Sequence, residues 1–138
     1  MAVKDLELDK ITAETQKVWQ EHIDSWDARD LDGIMVHYRE DSIFVGNNTV
    51  YRGVEAIRGV FTHLFDLFSK GGNLIEPAVI EGELIYILWN FTPTGDNTYF
   101  GTDTFIVRNG IITYQTVASI LYDNDKYKIR LSKDEFIA

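Results

Sequence analysis

The sequence predicts an α+β fold: a cone-shaped, strongly curved antiparallel sheet, with three helices from the N-terminal half packed on its concave side to enclose a pocket. Two observations carry this. Apolar residues recur at helical spacing in three segments ahead of Gly71-Gly72, and from about Leu74 the hydrophobic period changes to that of strands. Turn chemistry at the joints agrees, above all Asn109-Gly110, a strong hairpin signal because both residues accept positive φ.

From Asp9 to about Ala28, the residues Ile11, Thr15, Val18, Trp19, His22, Ile23 and Trp26 form one stripe with acids and amides opposite, which predicts a long amphipathic first helix. Asp30 can cap a short second helix whose buried side is Leu31, Ile34, Met35 and Tyr38. Ser42 to Val45 is β-prone, Gly46-Asn47-Asn48 is turn chemistry, and Thr49 to Tyr51 can pair back as a small arm. Gly53 opens a third helix with the stripe Val54, Ile57, Phe61, Leu64, Phe65 and Phe68, and Gly71-Gly72 stops it. Leu74 to Ile80, Glu83 to Thr92, Thr98 to Arg108 and Ile111 to Tyr122 read as four strands in meander order, joined at Glu81-Gly82, at residues 93–96 and at Asn109-Gly110. Lys126 to Leu131 alternates charged and apolar residues, so residues 123–138 are expected to add a strand or an arm over a neighbour. No linker or composition shift divides residues 1–138, which read as a single domain.

A chain of 138 residues can bury a core without disulfides or a structural metal, and the lack of cysteine removes thiol nucleophiles and thiolate metal sites. The net charge of −9, with no Lys/Arg cluster to offset it, opposes nucleic acid and membrane surfaces as partners. Met-Ala-Val-Lys-Asp-Leu-Glu carries acids where a signal peptide needs an apolar run, and no later segment approaches transmembrane length. The expected location is therefore cytoplasmic, where the sequons at Asn47 and Asn90 have no meaning. His-Glu-x-x-His, Gly-x-Gly-x-x-Gly, a phosphate-binding Gly/Lys loop and Gly-x-Ser-x-Gly are all absent, so zinc proteases, nucleotide enzymes and serine hydrolases have no foothold.

Asp103 is the sharpest candidate for chemistry, a carboxylate inside the β-prone run Thr98 to Val107, where Asp is normally depleted. Its same-face neighbours are Gly101, Phe105 and Val107. Facing the cavity, the acid is desolvated and its pKa rises; facing outward, it is solvated or bonded to neighbouring Thr. His22 lies on the inward stripe with Trp26 four residues on, either a general acid/base or a core histidine satisfied by one partner. Tyr38 can turn its hydroxyl into the cavity, and Phe61, Phe65, Trp89, Phe91 and Tyr114 are either core or, with Trp26 and Phe105, the walls of a site for a flat apolar or aromatic ligand. A bent sheet leaves its outer face bare. Leu84, Tyr86, Leu88 and Val117 are expected there, more apolar surface than a monomer comfortably exposes, so a homodimer is expected.

Three segments taken in order, Arg29-Asp30-Leu31-Asp32-Gly33-Ile34, then Tyr51-Arg52-Gly53 with Ala56-Ile57-Arg58, then Asp103-Thr104-Phe105 leading to Asn109-Gly110, resemble the nuclear transport factor 2-like superfamily. The resemblance is to its SnoaL-like and ketosteroid-isomerase-like branch, reaches to about Tyr122, and implies the same conical fold. In the steroid isomerases of this fold a first-helix tyrosine and a protonated late-strand aspartate form an oxyanion hole, and a second aspartate is the base. Asp103 matches the late-strand aspartate and Tyr38 resembles a supporting pocket tyrosine; His22 falls where the first-helix tyrosine would be, and Gly46 falls where the base would be. What remains is closer to SnoaL-like cyclases, which manage with one late-strand acid/base aspartate and an activated substrate.

The expected function is thus isomerisation, cyclisation or dehydration of an apolar carbonyl-bearing substrate, with Asp103 and His22 as the acid/base pair and with neither metal nor organic cofactor. A non-catalytic ligand-binding or dimerisation module of the same fold is the alternative. An epoxide-type hydrolase ranks last, because only Arg58 and Arg108 offer its cation and Arg108 has the opposite strand parity from Asp103.

Overall fold

A computed structural model of the chain describes residues 3–92, 97–123 and 129–130. Helix α1 (Val3–Asp27) starts earlier than its buried stripe does, because Leu6 and Leu8 are exposed and periodicity has nothing to report in the first turns. Extending a formed helix is cheap once it is nucleated, and this end is fastened where Gly82 N donates to Thr12 Oγ1 at 2.8 Å. Arg29 then takes a left-handed φ of 54°, and Asp30 caps α2 (Leu31–Met35) by accepting from Gly33 N at 3.0 Å. A Cβ on Gly33 would lie 2.5 Å from the Asp30 carboxyl and the Ser25 hydroxyl, so the cap requires glycine there.

Strands β1 (Ile43–Gly46) and β2 (Thr49–Arg52) form the expected arm, closed by Asn47 and Asn48 at φ 45° and 69°. Helix α3 (Gly53–Leu67) buries Ile57, Val60, Phe61 and Leu64, and Phe68 just beyond it is also buried. The expected strand from Leu74 to Ile80 is instead two short strands, β3 (Gly72–Ile75) and β4 (Val79–Glu81), which pair antiparallel with different stretches of β5 (Leu84–Thr92). Pro77 lies in the break, where a residue without an N–H cannot extend the ladder. Strands β6 (Asn97–Arg108) and β7 (Ile111–Asp123) are the long members, joined by Asn109 and Gly110 at φ 52° and 76°.

The sheet runs β2-β1-β7-β6-β5-β3, with β4 also on β5 and β8 (Ile129–Arg130) on β7. It is antiparallel except for β1, which lies parallel to β7, so the curved, unclosed sheet is mixed. Residues 93–96, 124–128 and 131–138, including most of the expected C-terminal strand or arm, lie outside the described residues.

Register shifts once between β6 and β7: Ile106 faces Tyr114 but Val107 faces Ile112, leaving Thr113 as an extra residue in β7. Ile112 points into the core; the bulge then turns Tyr114 outward and brings Gln115, Val117 and Ser119 inward. The expected outward Val117 is therefore buried and the expected inward Tyr114 stands 43 % exposed. Phe44, Ile57, Phe61, Phe91, Phe105 and Ile112 are the central apolar side chains between sheet and helices.

Phe91 is wholly buried, with its ring 4.3 Å from Phe68 and 6.4 Å from Tyr99. Truncation to Phe91→Ala should cost about 3–5 kcal/mol in urea unfolding, the range for a deleted core aromatic; a loss below about 1 kcal/mol would show a site that collapses freely.

Candidate functional site

The concave face of β5, β6 and β7 meets α1 and α3 around a cavity of about 60 Å³. Trp19, His22 and Trp26 line it from α1, Phe61 and Leu64 from α3. The sheet contributes Ile87 and Trp89 from β5, Asp103 and Phe105 from β6, and Gln115 and Val117 from β7. The wall is apolar apart from a few convergent polar groups, the usual make-up of a small-molecule site. Among the described residues no Lys or Arg lines it, and no group of three His, Asp or Glu side chains is placed to hold a metal ion.

Asp103 is 8 % exposed and both its oxygens accept N–H bonds: Trp89 Nε1 donates to Oδ1 at 2.7 Å and Gln115 Nε2 donates to Oδ2 at 3.0 Å. Behind Gln115, the Tyr38 hydroxyl donates to Oε1 and fixes which way the amide points. Trp89 reaches Asp103 because its indole lies over Gly101, its partner across the β5–β6 ladder. A Cβ at Gly101 would sit 2.1 Å from Trp89 Cζ2, so any larger residue evicts the ring. Burial pushes the Asp103 carboxyl up to about 6, against the downward pull of the Trp89 and Gln115 bonds. Burial, and secondly the Asp103 charge, raise the Tyr38 phenol well above its ordinary value.

His22 is buried among rings, with centroids 5.4 Å from Phe105, 5.8 Å from Phe61 and 5.9 Å from Trp19, and its Nδ1 has no hydrogen-bond partner among the described residues. Burial first, and repulsion from His37 second, pull its pKa down to about 3. His22 and Asp103 line the same cavity, yet no hydrogen bond or ion pair joins them among those described. The neutral imidazole carries one N–H donor and one acceptor nitrogen, and its buried Nδ1 is unpaired among the described residues.

The family profile of the SnoaL-like domain matches residues 19–115, from the cavity-lining Trp19 to Gln115. The chain belongs to this family. No curated protein sequence matches it. An NTF2-like protein of unknown function from Burkholderia xenovorans superposes with a TM-score of 0.65 at 16 % identity, covering 91 % of this chain and 94 % of that one. A proposed SnoaL-like polyketide cyclase from Shewanella denitrificans gives 0.59 at 18 % identity over 76 % of this chain and 89 % of its own. AclR, a proposed hydroxylase from Streptomyces galilaeus, gives 0.64 at 13 % identity over 78 % and 90 %. At such identities the likeness carries the nuclear transport factor 2-like fold and nothing finer.

Within this SnoaL-like cone, Trp26, Phe61, Trp89 and Phe105 line the cavity together with Asp103 and His22. Four of the expected ligand-contacting aromatics do not. Tyr38 lies behind Gln115, Phe91 is core, Phe65 packs on the Trp26 ring at 5.4 Å, and Tyr114 is on the outer face beyond the Thr113 bulge. Arg58 and Arg108 are at the surface, paired with Asp32 at 2.9 Å and Glu83 at 3.2 Å, so neither offers the cavity a cation. Gln115 is the polar group that the sequence reading missed. Its signal, an amide in a β-prone run, carries no weight until the bulge is known.

The two shifted groups make opposite contributions to stability. Asp103 has a raised folded pKa, so its contribution is greatest below the unfolded value near 4 and is lost as pH rises through about 6. His22 has a lowered one, so its contribution is greatest above about 6.5 and is lost as pH falls toward about 3. Over pH 4 to 6 the slopes oppose, each on the order of 1 kcal/mol per pH unit. Relative to the wild type, Asp103→Asn should make urea-unfolding stability rise more steeply with pH in this window, and His22→Gln should make it rise less or fall. Parallel profiles for all three proteins would refute the assigned shifts.

Proposed function

We propose that this SnoaL-like domain binds a small, largely apolar carbonyl-bearing molecule and moves a proton on it with Asp103, as an isomerase, cyclase or dehydratase that requires neither metal nor organic cofactor. The observation that carries the reading is one carboxyl buried in an apolar cavity, with its pKa near 6 and both oxygens oriented by N–H donors. Above that value the carboxylate takes a proton from the carbon beside the substrate carbonyl: the C–H bond breaks, an O–H bond forms on Asp103, and the electron pair passes to the carbonyl oxygen. His22, neutral in this range, lends an N–H to that developing oxyanion, and Asp103 returns the proton at a second position or to a leaving hydroxyl. Trp26, Phe61, Trp89 and Phe105 supply the apolar contact. The proposed polyketide cyclase among the structural neighbours is compatible with this class of substrate.

A non-catalytic ligand-binding module is the second reading, favoured by the Trp89 and Gln115 bonds that already occupy both Asp103 oxygens. Asp103→Asn separates the two. In a turnover assay on an activated ketone, the variant should lose on the order of a hundredfold or more in kcat while binding holds; unchanged turnover would assign the proton elsewhere.

The same reading includes a homodimer through the outer sheet face. Leu84, Ile106 and Tyr114 lie in one cross-strand row, and Leu84, Tyr86 and Tyr114 are 40 %, 42 % and 43 % exposed. A second copy related by a two-fold axis would cover this row on both chains. Sedimentation should give twice the 15.9 kDa chain mass, and Tyr114→Glu should give the single chain; a wild-type monomer at tens of micromolar, roughly the range for a weak dimer, removes this part of the proposal.

A further inference from the structure

The cavity at Asp103 is small. About 60 Å³ is room for a few heavy atoms, whereas sites for whole drug-sized ligands run to roughly 300–1,000 Å³. Outside it a groove of about 390 Å³ runs between α1 and the bend from β3 to β4. Trp19, Ile23, Asn73 and Ile75 line both spaces, so the groove adjoins the cavity across these four side chains. Asn73 braces the junction: its Oδ1 accepts from Trp26 Nε1 at 3.2 Å and its Nδ2 donates to the Asn90 carbonyl at 3.1 Å.

The groove's chemistry narrows the occupant. Its outer part is Asp27, Leu74, Glu76, Pro77 and Ala78, two carboxylates among apolar groups, and among the described residues no Lys or Arg lines either space. At the bend the Glu76 N–H is taken by the Leu88 carbonyl at 2.9 Å, and Pro77 has no N–H, so the centre of the bend has no donor for an anion. Arg29, near the same end of α1, is committed to the carbonyls of Trp26 and Phe68.

We infer that the ligand is bipartite: a small carbonyl end enters the cavity at Asp103, and a longer apolar body, uncharged or cationic but not anionic, lies in the groove between α1 and residues 74–78. This builds on the reading of the Asp103 cavity as a ligand site and adds where most of the ligand sits and what charge it carries. Trp19, Ile23 and the bend then set specificity, while Asp103 meets only the reacting end.

NMR titration of the full chain with acetone, with methyl nonyl ketone, and with that ketone carrying a terminal carboxylate or trimethylammonium tests this. Acetone should perturb the Trp89 indole signal and leave residues 74–78 unmoved, and methyl nonyl ketone should perturb both Trp89 and residues 74–78 while binding at least about tenfold tighter. The carboxylate-ended ketone should bind about tenfold more weakly than the cationic one, and Glu76→Lys, an exposed change, should narrow or reverse that order. Ala78→Phe should weaken the long ketone and leave acetone unaffected. If methyl nonyl ketone moves Trp89 but not residues 74–78, or Glu76→Lys leaves the charge preference unaltered, the groove assignment is wrong while the Asp103 site stands. If neither ketone moves Trp89, the Asp103 reading fails and this inference with it.

Discussion

A carboxyl taken out of water must be paired with hydrogen-bond donors or kept neutral, and meeting that requirement at Asp103 organises the concave face of the sheet. Each neighbour of the group is fixed by a further contact. Gln115 is turned toward Asp103 by the Tyr38 hydroxyl, and Trp89 reaches it only because Gly101 leaves room for the indole. Tyr38 in turn follows α2 in a turn whose Tyr38 N–H bonds the Met35 carbonyl. Three strands and the helix-to-strand connection thus converge on one side chain, and a change at any of them reaches the others through it.

The relation between Asp103 and His22 follows from the same low-dielectric wall. An ion pair would lower the acid and raise the base, whereas apolar surroundings drive both toward neutrality, and the second effect prevails here. Near neutral pH this leaves an ionised acid beside an uncharged imidazole. For the proposed enolisation that combination is useful, because the carboxylate is charged, the imidazole can still donate, and no salt bridge has to be broken before either acts.

Helix α1 has two tasks along one stripe. Val18, His22 and Trp26 close the cone, while Trp19 and Ile23, only half-buried, line both the cavity and the groove outside it. The opposite side of the groove is the break between β3 and β4, where Pro77 interrupts pairing with β5. The irregularity that shortens the sheet ladder is therefore also what lines the groove beside the cavity.

Much of this was legible in the residues. Helical periodicity placed three helices, Asp30 and the Asn-Asn and Asn-Gly pairs placed a cap and two hairpins, and the Thr98 to Val107 run marked Asp103 as a polar residue out of place. These are local properties, set by neighbours a few residues away along the chain. The inward turn of Gln115 and Val117, the outward turn of Tyr114 and the parallel seat of β1 on β7 were not legible. Strand parity can be counted along a sequence only while the register is unbroken, and the Thr113 bulge that breaks it is a relation between β6 and β7. Residue order dictates which elements form and that an acid sits among apolar residues; which donors meet that acid is a matter of pairing register, which alone brings Trp89, Asp103 and Gln115 together from three strands.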